Sequence, residues 1–466
     1  MKAKIIKVVA FCLVLFLFLN YIYEVFSWKD TAGDYYSSVD ALYELEDDLV
    51  DALFVGTSRC YCSINNAMLW DDFGISSFSM SISGQDIASS YHAIAEALKT
   101  QTPEVVCVEV HGTLFEGYPI DSNMYRNTLP YKLSLNSLSL IDEVGGDSKK
   151  DLIFKWPIIH TRYKELKRED FEENLPYLGY HCEFHVQEVG QLNTYEGDAR
   201  EPIGENEEYW LREIIELVQE KNIQLCLFAA PFQCWEYDQM RLNYVQDIAD
   251  EYQVKMVNMS LMQEELELNI QSDFIDFQHT NYWGAKKVTQ YMGSLLTEEF
   301  HLADHRGDKN YHLWVENSQV RSHEYYNIFL QQAINVEMLF QRLEPMTDGY
   351  TIVIETNGDY YANGDALDSY MSMIGLEALC GTSGIWVIQD GELTLSLEGD
   401  AFGEYVDLGK GDMLLSRNEG ISNIIIDDET YMRVWDGINV IVYDNLLGEV
   451  VDAIGFMMGY PDALIR

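Results

Sequence analysis

Basic residues are scarce in this chain. Its 466 residues include 30 lysines and arginines against 77 aspartates and glutamates, a formal net charge of −47. A surface that negative repels polyanions instead of displacing their counterions, which excludes nucleic acid as a partner held by its phosphates. Cysteine is sparse as well. Cys12, Cys60, Cys62, Cys107, Cys182, Cys226, Cys234 and Cys380 fall at no zinc-knuckle or redox-pair spacing. Cys60 and Cys62 would point the same way along one strand, poor geometry for a disulfide. Cys107 and Cys226 lie inside apolar runs and read as small core residues. No disulfide framework is implied. Past residue 26 there is no second hydrophobic run of spanning length, and no Leu-x-Gly-Cys lipoprotein sequence surrounds Cys12.

What is present belongs to a folded protein: 47% hydrophobic residues, 13% aromatics, and length enough for two domains plus extras. Ile5 to Phe26 is nearly continuously apolar, with Lys2, Lys4 and Lys7 at its front. About 20 such residues cross the hydrocarbon core. The lysines predict a cytoplasmic N-terminus and an extracytoplasmic bulk. The run exits through Tyr21, Tyr23, Phe26 and Trp28 and not through the small residues of a cleavage site. Residues 1–28 therefore read as an uncleaved, single-pass signal anchor in the cell membrane, with cleavage as the alternative.

Residues 29–300 read as a first domain. After an acidic helical stalk, Asp30 to Asp51, come apolar runs at Asp51 to Thr57, Glu104 to Val110 and Gln224 to Ala230. Helical patterns follow at Ile87 to Lys99, Glu205 to Glu220, Tyr237 to Tyr252 and Trp283 to Phe300. Continuous β-branched strands between helices predict an α/β fold, a parallel sheet covered on both faces. Residues 113–200 interrupt the rhythm and read as an insertion over one end of the sheet. Residues 301–345 form a helical linker, with a polar stretch from His301 to Glu324 and a helix from Tyr325 to Leu343. Residues 346–466 change to strands with Gly/Asp/Asn turns and one helix, Ala366 to Met373, a smaller mixed β-rich domain.

Two constellations could carry chemistry. In Phe54-Val55-Gly56-Thr57-Ser58-Arg59 a serine stands on a turn just past the first strand, where open α/β sheets bind ligands. Free N–H groups at the following helix start suit an oxyanion. Taken alone, the hexapeptide favours the plainer reading of Ser58 as a helix N-cap or turn serine. Near the end of the domain Asp276 and His279 stand three residues apart on a turn entering a helix. The carboxylate can accept from Nδ1 and leave Nε2 free as a base. With Ser58 this makes a triad. A metal site has little support: His301 and His305 are four residues apart but lack a third ligand.

These blocks resemble those of the SGNH (GDSL-like) hydrolases. Gly56-Thr57-Ser58 stands where that family has Gly-Asp-Ser, Asp276 to His279 matches its Asp-x-x-His, and Ser83-Gly84-Gln85 stands where its second block supplies an oxyanion-hole glycine. The stretch from Gly74 to Val110 is similar to membrane-anchored, cell-surface members, relatives of the D-alanyl-lipoteichoic acid transfer and alginate O-acetylation proteins. The resemblance covers about residues 50–300 and implies a three-layer domain. It also implies Ser58, His279 and Asp276 as catalytic residues, with the Ser58 and Gly84 N–H groups as the oxyanion hole. Thr57 replaces the block-one aspartate. Glu109-Val110-His111-Gly112-Thr113 lacks the block-three asparagine, a loss typically worth about 2.7–4 kcal/mol. Gln85 or His111 would have to substitute, or the site is slow or dead.

Gly437 to Asp444, followed by Gly448 to Asp452 and Phe456, resembles the interleukin-like EMT inducer domain in permuted order, as does Thr351 to Leu379. That implies a sandwich-like glycan-binding module over about 345–460. Tyr360, Tyr361 and Trp386 could stack on sugars, and the turns Asn357 to Asp359 and Asn363 to Asp365 could hold Ca²⁺, although core aromatics and plain turns are the simpler readings. The expectation is a membrane-anchored extracytoplasmic serine acyltransferase or esterase, without a cofactor. It would act on O-acyl groups of cell-envelope polysaccharide, and a transferase would need a membrane acyl-donor protein. The alternative is an inactive SGNH scaffold that binds glycan or organises an envelope partner.

Overall fold

The computed structural model describes residues 2–27, 37–115, 121–166, 168–171, 175–193, 195, 197–344, 348–357, 364–376, 382–457 and 463–466. Tyr360, Tyr361 and half of the residues of the two expected Ca²⁺ turns (358, 359 and 363) lie outside them. The chain divides into two units, Met1–Ser318 and Gln319–Arg466.

The first unit begins with α1 (Lys2–Phe26). Its span Lys4–Phe26, whose most apolar 18-residue stretch has a mean hydropathy of 2.5, is long and apolar enough by length and composition to cross a membrane. The expected helical stalk is corrected: among the described residues only α2 (Ser37–Leu42) is helical there. The reason is a competing side chain. Gln101 Oε1 accepts the N–H groups of Leu49 (3.1 Å) and Val50 (3.2 Å), and its Nε2 donates to Glu46 O (2.8 Å), holding this stretch in turns.

Next come β1 (Ala52–Gly56), α3 (Ser58–Ser63), α4 (Asn66–Phe73), β2 (Ser77–Ser81), α5 (Ile87–Ala97) and β3 (Val105–Glu109). The inserted helices are α6 (Asp121–Thr128), α7 (Leu135–Val144), α8 (Lys149–Phe154) and α9 (Trp156–Ile159). The unit then continues through α10 (Glu205–Glu220), β4 (Gln224–Ala229), α11 (Glu236–Tyr252), β5 (Lys255–Asn258) and α12 (Tyr282–Glu298). The five strands form a parallel sheet in the order β2-β1-β3-β4-β5.

Successive strand residues point to opposite faces, so one buried run fills two layers. Leu53, Val55, Val106, Val108 and Leu227 pack with residues of α5, α10 and α11. Ala52, Phe54, Cys107, Cys226 and Phe228 pack on the other face with residues of α4 and α12. This is a helix–sheet–helix sandwich. The chain steps from β1 to β2 on one side and then to β3 on the other, so the carboxyl ends of β1 and β3 flank a switch point, where such sheets place ligands. Gly56 ends β1 there because a Cβ would sit 2.5 Å from Glu109 Cβ.

The second unit starts inside α13 (His312–Gln331), followed by α14 (Val336–Leu343). The expected single helix, Tyr325 to Leu343, is broken. Asn335 caps α14 by accepting from Met338 N (2.8 Å), which restarts the helix after a turn. Strands β6 (Tyr350–Asn357), β7 (Gly384–Gln389), β8 (Glu392–Glu398), β9 (Phe402–Asp407), β10 (Asp412–Asn418), β11 (Ile421–Ile426), β12 (Glu429–Thr430), β13 (Gly437–Asp444) and β14 (Glu449–Phe456) surround one helix, α15 (Gly364–Met373). They form antiparallel sheets ordered β14-β13-β6-β7-β8 and β12-β11-β10-β9. Val353, Val387 and Ile441 of the first sheet meet Met413, Leu415 and Ile424 of the second. The other face of the first sheet packs under Leu339, Phe340 and Met371. Trp386 lies on that helix-covered face, 3% exposed, so it is a core aromatic and is not free to stack on a sugar.

Candidate functional site

Thr57 sets the start of α3. It caps the helix, its hydroxyl accepting from Arg59 N (3.2 Å) and donating to the buried Glu109 carboxylate (2.8 Å). Glu109 also accepts from His111 N (3.0 Å), so one carboxylate ties the loop after β1 to the loop after β3. Burial pushes the Glu109 carboxyl upward, partly offset by the nearby Arg59 charge. Ser58 is thereby presented, half-buried, at the switch point.

The partners of Ser58 come from far along the chain. Ser63 and Thr280 hydroxyls meet at 3.0 Å, Thr280 Oγ1 donates to Cys62 O (2.9 Å), and Thr289 Oγ1 accepts from Asn65 N (2.9 Å). These bonds bolt α3 to the start of α12. Asn281 caps α12 by accepting from Trp283 N (3.1 Å) and Gly284 N (3.2 Å), and Ile275 N donates to His279 O (3.0 Å), closing the loop between them. In that loop His279 Nε2 lies 2.8 Å from Ser58 Oγ, and His279 Nδ1 lies 3.0 Å from both Asp276 oxygens. Asp276 Oδ1 further accepts from Gln278 N (2.7 Å) and His279 N (3.0 Å). Burial raises the Asp276 carboxyl, but the His279 bond and charge and the two N–H groups outweigh it, so its value sits below the ordinary range. It is a carboxylate at neutral pH, able to hold the imidazole with Nδ1 protonated and Nε2 facing the hydroxyl.

The remaining expected residues divide. Gly84, in the turn after β2, has φ +64 and is half-buried; neither its N–H nor that of Ser58 has a backbone acceptor among the described residues. Gln85 is buried, its N–H donates to Ile82 O (3.0 Å) and its Nε2 to Ser90 Oγ (3.1 Å), which commits it to the loop. His111 is half-buried, its ring edge-on to Phe115 and Phe232 at 5.1 and 5.4 Å. Burial, then the charges of Arg59 and His279, push it well below the usual histidine range, which makes it a neutral imidazole near the dyad. Its Nδ1 has no partner among the described residues.

Sequence pattern alone does not mark Arg59 as a site residue. It is buried, its guanidinium 3.9 Å above the Phe232 ring and its Nη2 donating to Gln278 Oε1 (3.3 Å), while Nε and Nη1 have no partner among the described residues. Burial pulls it down to about 10, with Glu109, Asp238 and Asp276 opposing, so it stays a cation beside Ser58. Its one sequence signal is an arginine inside the otherwise uncharged start of a helix that follows a buried strand. Residues 181–193 of the insertion cross nearby: His181 N donates to Tyr61 O (3.0 Å), Gln187 N to Phe274 O (2.9 Å), and Glu183 O accepts from Tyr282 N (2.8 Å). Cys60 and Cys62 are buried and their thiols pushed up, Cys60 to about 12, so neither competes with Ser58 as a nucleophile.

This arrangement can move a proton from a serine hydroxyl to an imidazole that a carboxylate steadies, the chemistry of nucleophilic acyl transfer. The chain matches no protein-family model, and no curated protein matches it.

Proposed function

We propose that the first unit is an SGNH-type serine esterase or O-acyltransferase, held in the cell membrane by α1 with its bulk outside, and that it acts on O-acyl groups of cell-envelope polysaccharide. The observation that carries the proposal is the unbroken relay from Ser58 Oγ through His279 to Asp276, at 2.8 and 3.0 Å. His279 takes the Ser58 proton as Oγ attacks the acyl carbonyl. The Ser58 and Gly84 N–H groups, with neutral His111 in place of the missing asparagine, hold the oxyanion. His279 then returns the proton to the leaving alcohol. Water or a sugar hydroxyl takes the acyl group from Ser58 in the reverse sequence. No cofactor is needed by this chemistry, and the second unit would hold the glycan.

Ser58→Ala removes the nucleophile without disturbing the Thr57 cap. It should abolish turnover of p-nitrophenyl acetate by the full chain while leaving the unfolding transition in place; retained turnover would sink the assignment. The second reading, an inactive scaffold that binds glycan or organises an envelope partner, draws support from the absence of asparagine after β3. It predicts no turnover by the wild type.

A further inference from the structure

Apolar side chains are unevenly exposed over the first unit. Among the described residues of this unit outside α1, 15 large hydrophobic residues are exposed, and eight of them fall between Leu133 and Phe171. Among these, Ile153 (43%), Phe154 (75%), Trp156 (42%), Tyr163 (60%) and Phe171 (58%) sit in the segment that meets the end of α1. The Phe26 ring lies 5.7 Å from that of Trp156. Arg162 Nη1 donates to Ser27 O, and Arg162 is itself fixed by a buried pair with Asp170 at 2.7 Å. Lys155 Nζ stands 5.8 Å from the Tyr23 ring while donating to Leu129 O (2.8 Å) and Tyr131 O. These bonds lock the segment to the point where the apolar helix ends.

Its charge is also out of character. Residues 149–171 carry five lysines and two arginines against two aspartates and two glutamates, a net +3 in a chain of net −47. Exposed tryptophan, tyrosine and phenylalanine between lysines, at the end of a spanning helix, match the chemistry of the interface between acyl chains and phosphate headgroups. A patch of this kind on a water-facing surface calls for an occupant.

We propose that residues 149–166, with Phe171, lie on the bilayer that holds α1. Ile153, Phe154, Trp156 and Tyr163 would enter the interface, with Lys149, Lys150 and Lys164 on anionic headgroups. The catalytic unit then has a second foothold beside its helix, which fixes its rotation and height over the membrane.

The test uses the full chain in liposomes of phosphatidylcholine and phosphatidylglycerol, with a charged, membrane-impermeant maleimide as probe. Phe154→Cys is compared with Leu261→Cys, another exposed position of the same unit (53%). Tethering by α1 alone leaves both thiols in water and their labelling rates alike. Docking slows Phe154→Cys about tenfold relative to Leu261→Cys. Adding Lys149→Glu, Lys150→Glu and Lys164→Glu should bring the two rates back together, because the headgroup attraction becomes repulsion. Equal rates in the parent background overturn the proposal. Protection that survives the charge reversal overturns it as well, since the occupant is then not an anionic lipid surface.

Discussion

Replacing Asp276 by asparagine keeps the size of the side chain and removes its charge. In the native loop Oδ1 accepts from Gln278 N (2.7 Å) and His279 N (3.0 Å), while both oxygens stand 3.0 Å from His279 Nδ1. An asparagine oxygen stays on the two backbone donors, because an NH₂ there would face N–H groups. The NH₂ is then turned toward Nδ1, which must become an acceptor. The ring proton moves to Nε2, where it points at Ser58 Oγ and can no longer accept the serine proton. In a buried triad this tautomer switch costs about 10⁴ in kcat, or about 5.4 kcal/mol at 1.36 kcal/mol per decade. The Asp276 side chain is 38% exposed, so water can replace part of what the carboxylate supplies. The expected loss is therefore about 10²–10⁴ in kcat/KM. The assay is p-nitrophenyl acetate hydrolysis by the full chain, with thermal unfolding in parallel. The backbone bonds survive, so the midpoint should hold. A variant within about threefold of wild type would refute the tautomer argument.

His111→Phe keeps the ring against Phe115 and Phe232 but removes its donor, and should lower kcat about 10²–10³-fold with KM little changed, whereas His111→Asn should stay within about tenfold of wild type. Steady-state kinetics of the two variants separate a lost donor from lost packing. His92 carries a pH prediction. Burial lowers it below the ordinary value, despite its Nδ1 bond to Asn136 Oδ1 at 2.7 Å. The unfolded chain therefore binds this proton at a higher pH than the folded one, and the histidine's contribution to stability, complete above about pH 6.5, is lost as pH falls. Urea unfolding from pH 7 to 5 should show a shallower fall for His92→Gln than for wild type; identical slopes would count against it.

Much of the first unit's core was legible because its strands are single-mindedly apolar. β1, β3 and β4 are buried from end to end apart from Gln224, and runs like LFV, VVCV and LCLF admit little else. β2 escaped notice because it reads SFSMS. Its serines are buried all the same, their hydroxyls satisfied internally: Ser77 accepts from Asn66 Nδ2 (2.9 Å) and Ser79 meets Ser81 (2.9 Å). Composition does not reveal such pairing. The early start of α13 was hidden by its polar surface, yet Trp314 is buried and its Nε1 donates to Ser77 O (3.0 Å). Ser58, Asp276 and His279 could be grouped from short-range spacing and strand position. Their approach across 221 residues depends on the hydroxyl bonds of Ser63, Thr280 and Thr289, which no spacing rule encodes. Arg59 is not legible because a buried arginine, two of whose nitrogens have no partner among the described residues, contradicts ordinary burial preferences, which is the kind of departure expected at a functional site.

Covalent labelling reports directly whether Ser58 is an activated nucleophile. The full chain is incubated with a fluorophosphonate and the adduct located by peptide mass spectrometry, with His279→Ala as control. An activated serine gives a single adduct on Ser58 that the control loses. A folded protein that stays unlabelled, or one labelled equally in the control, would contradict it.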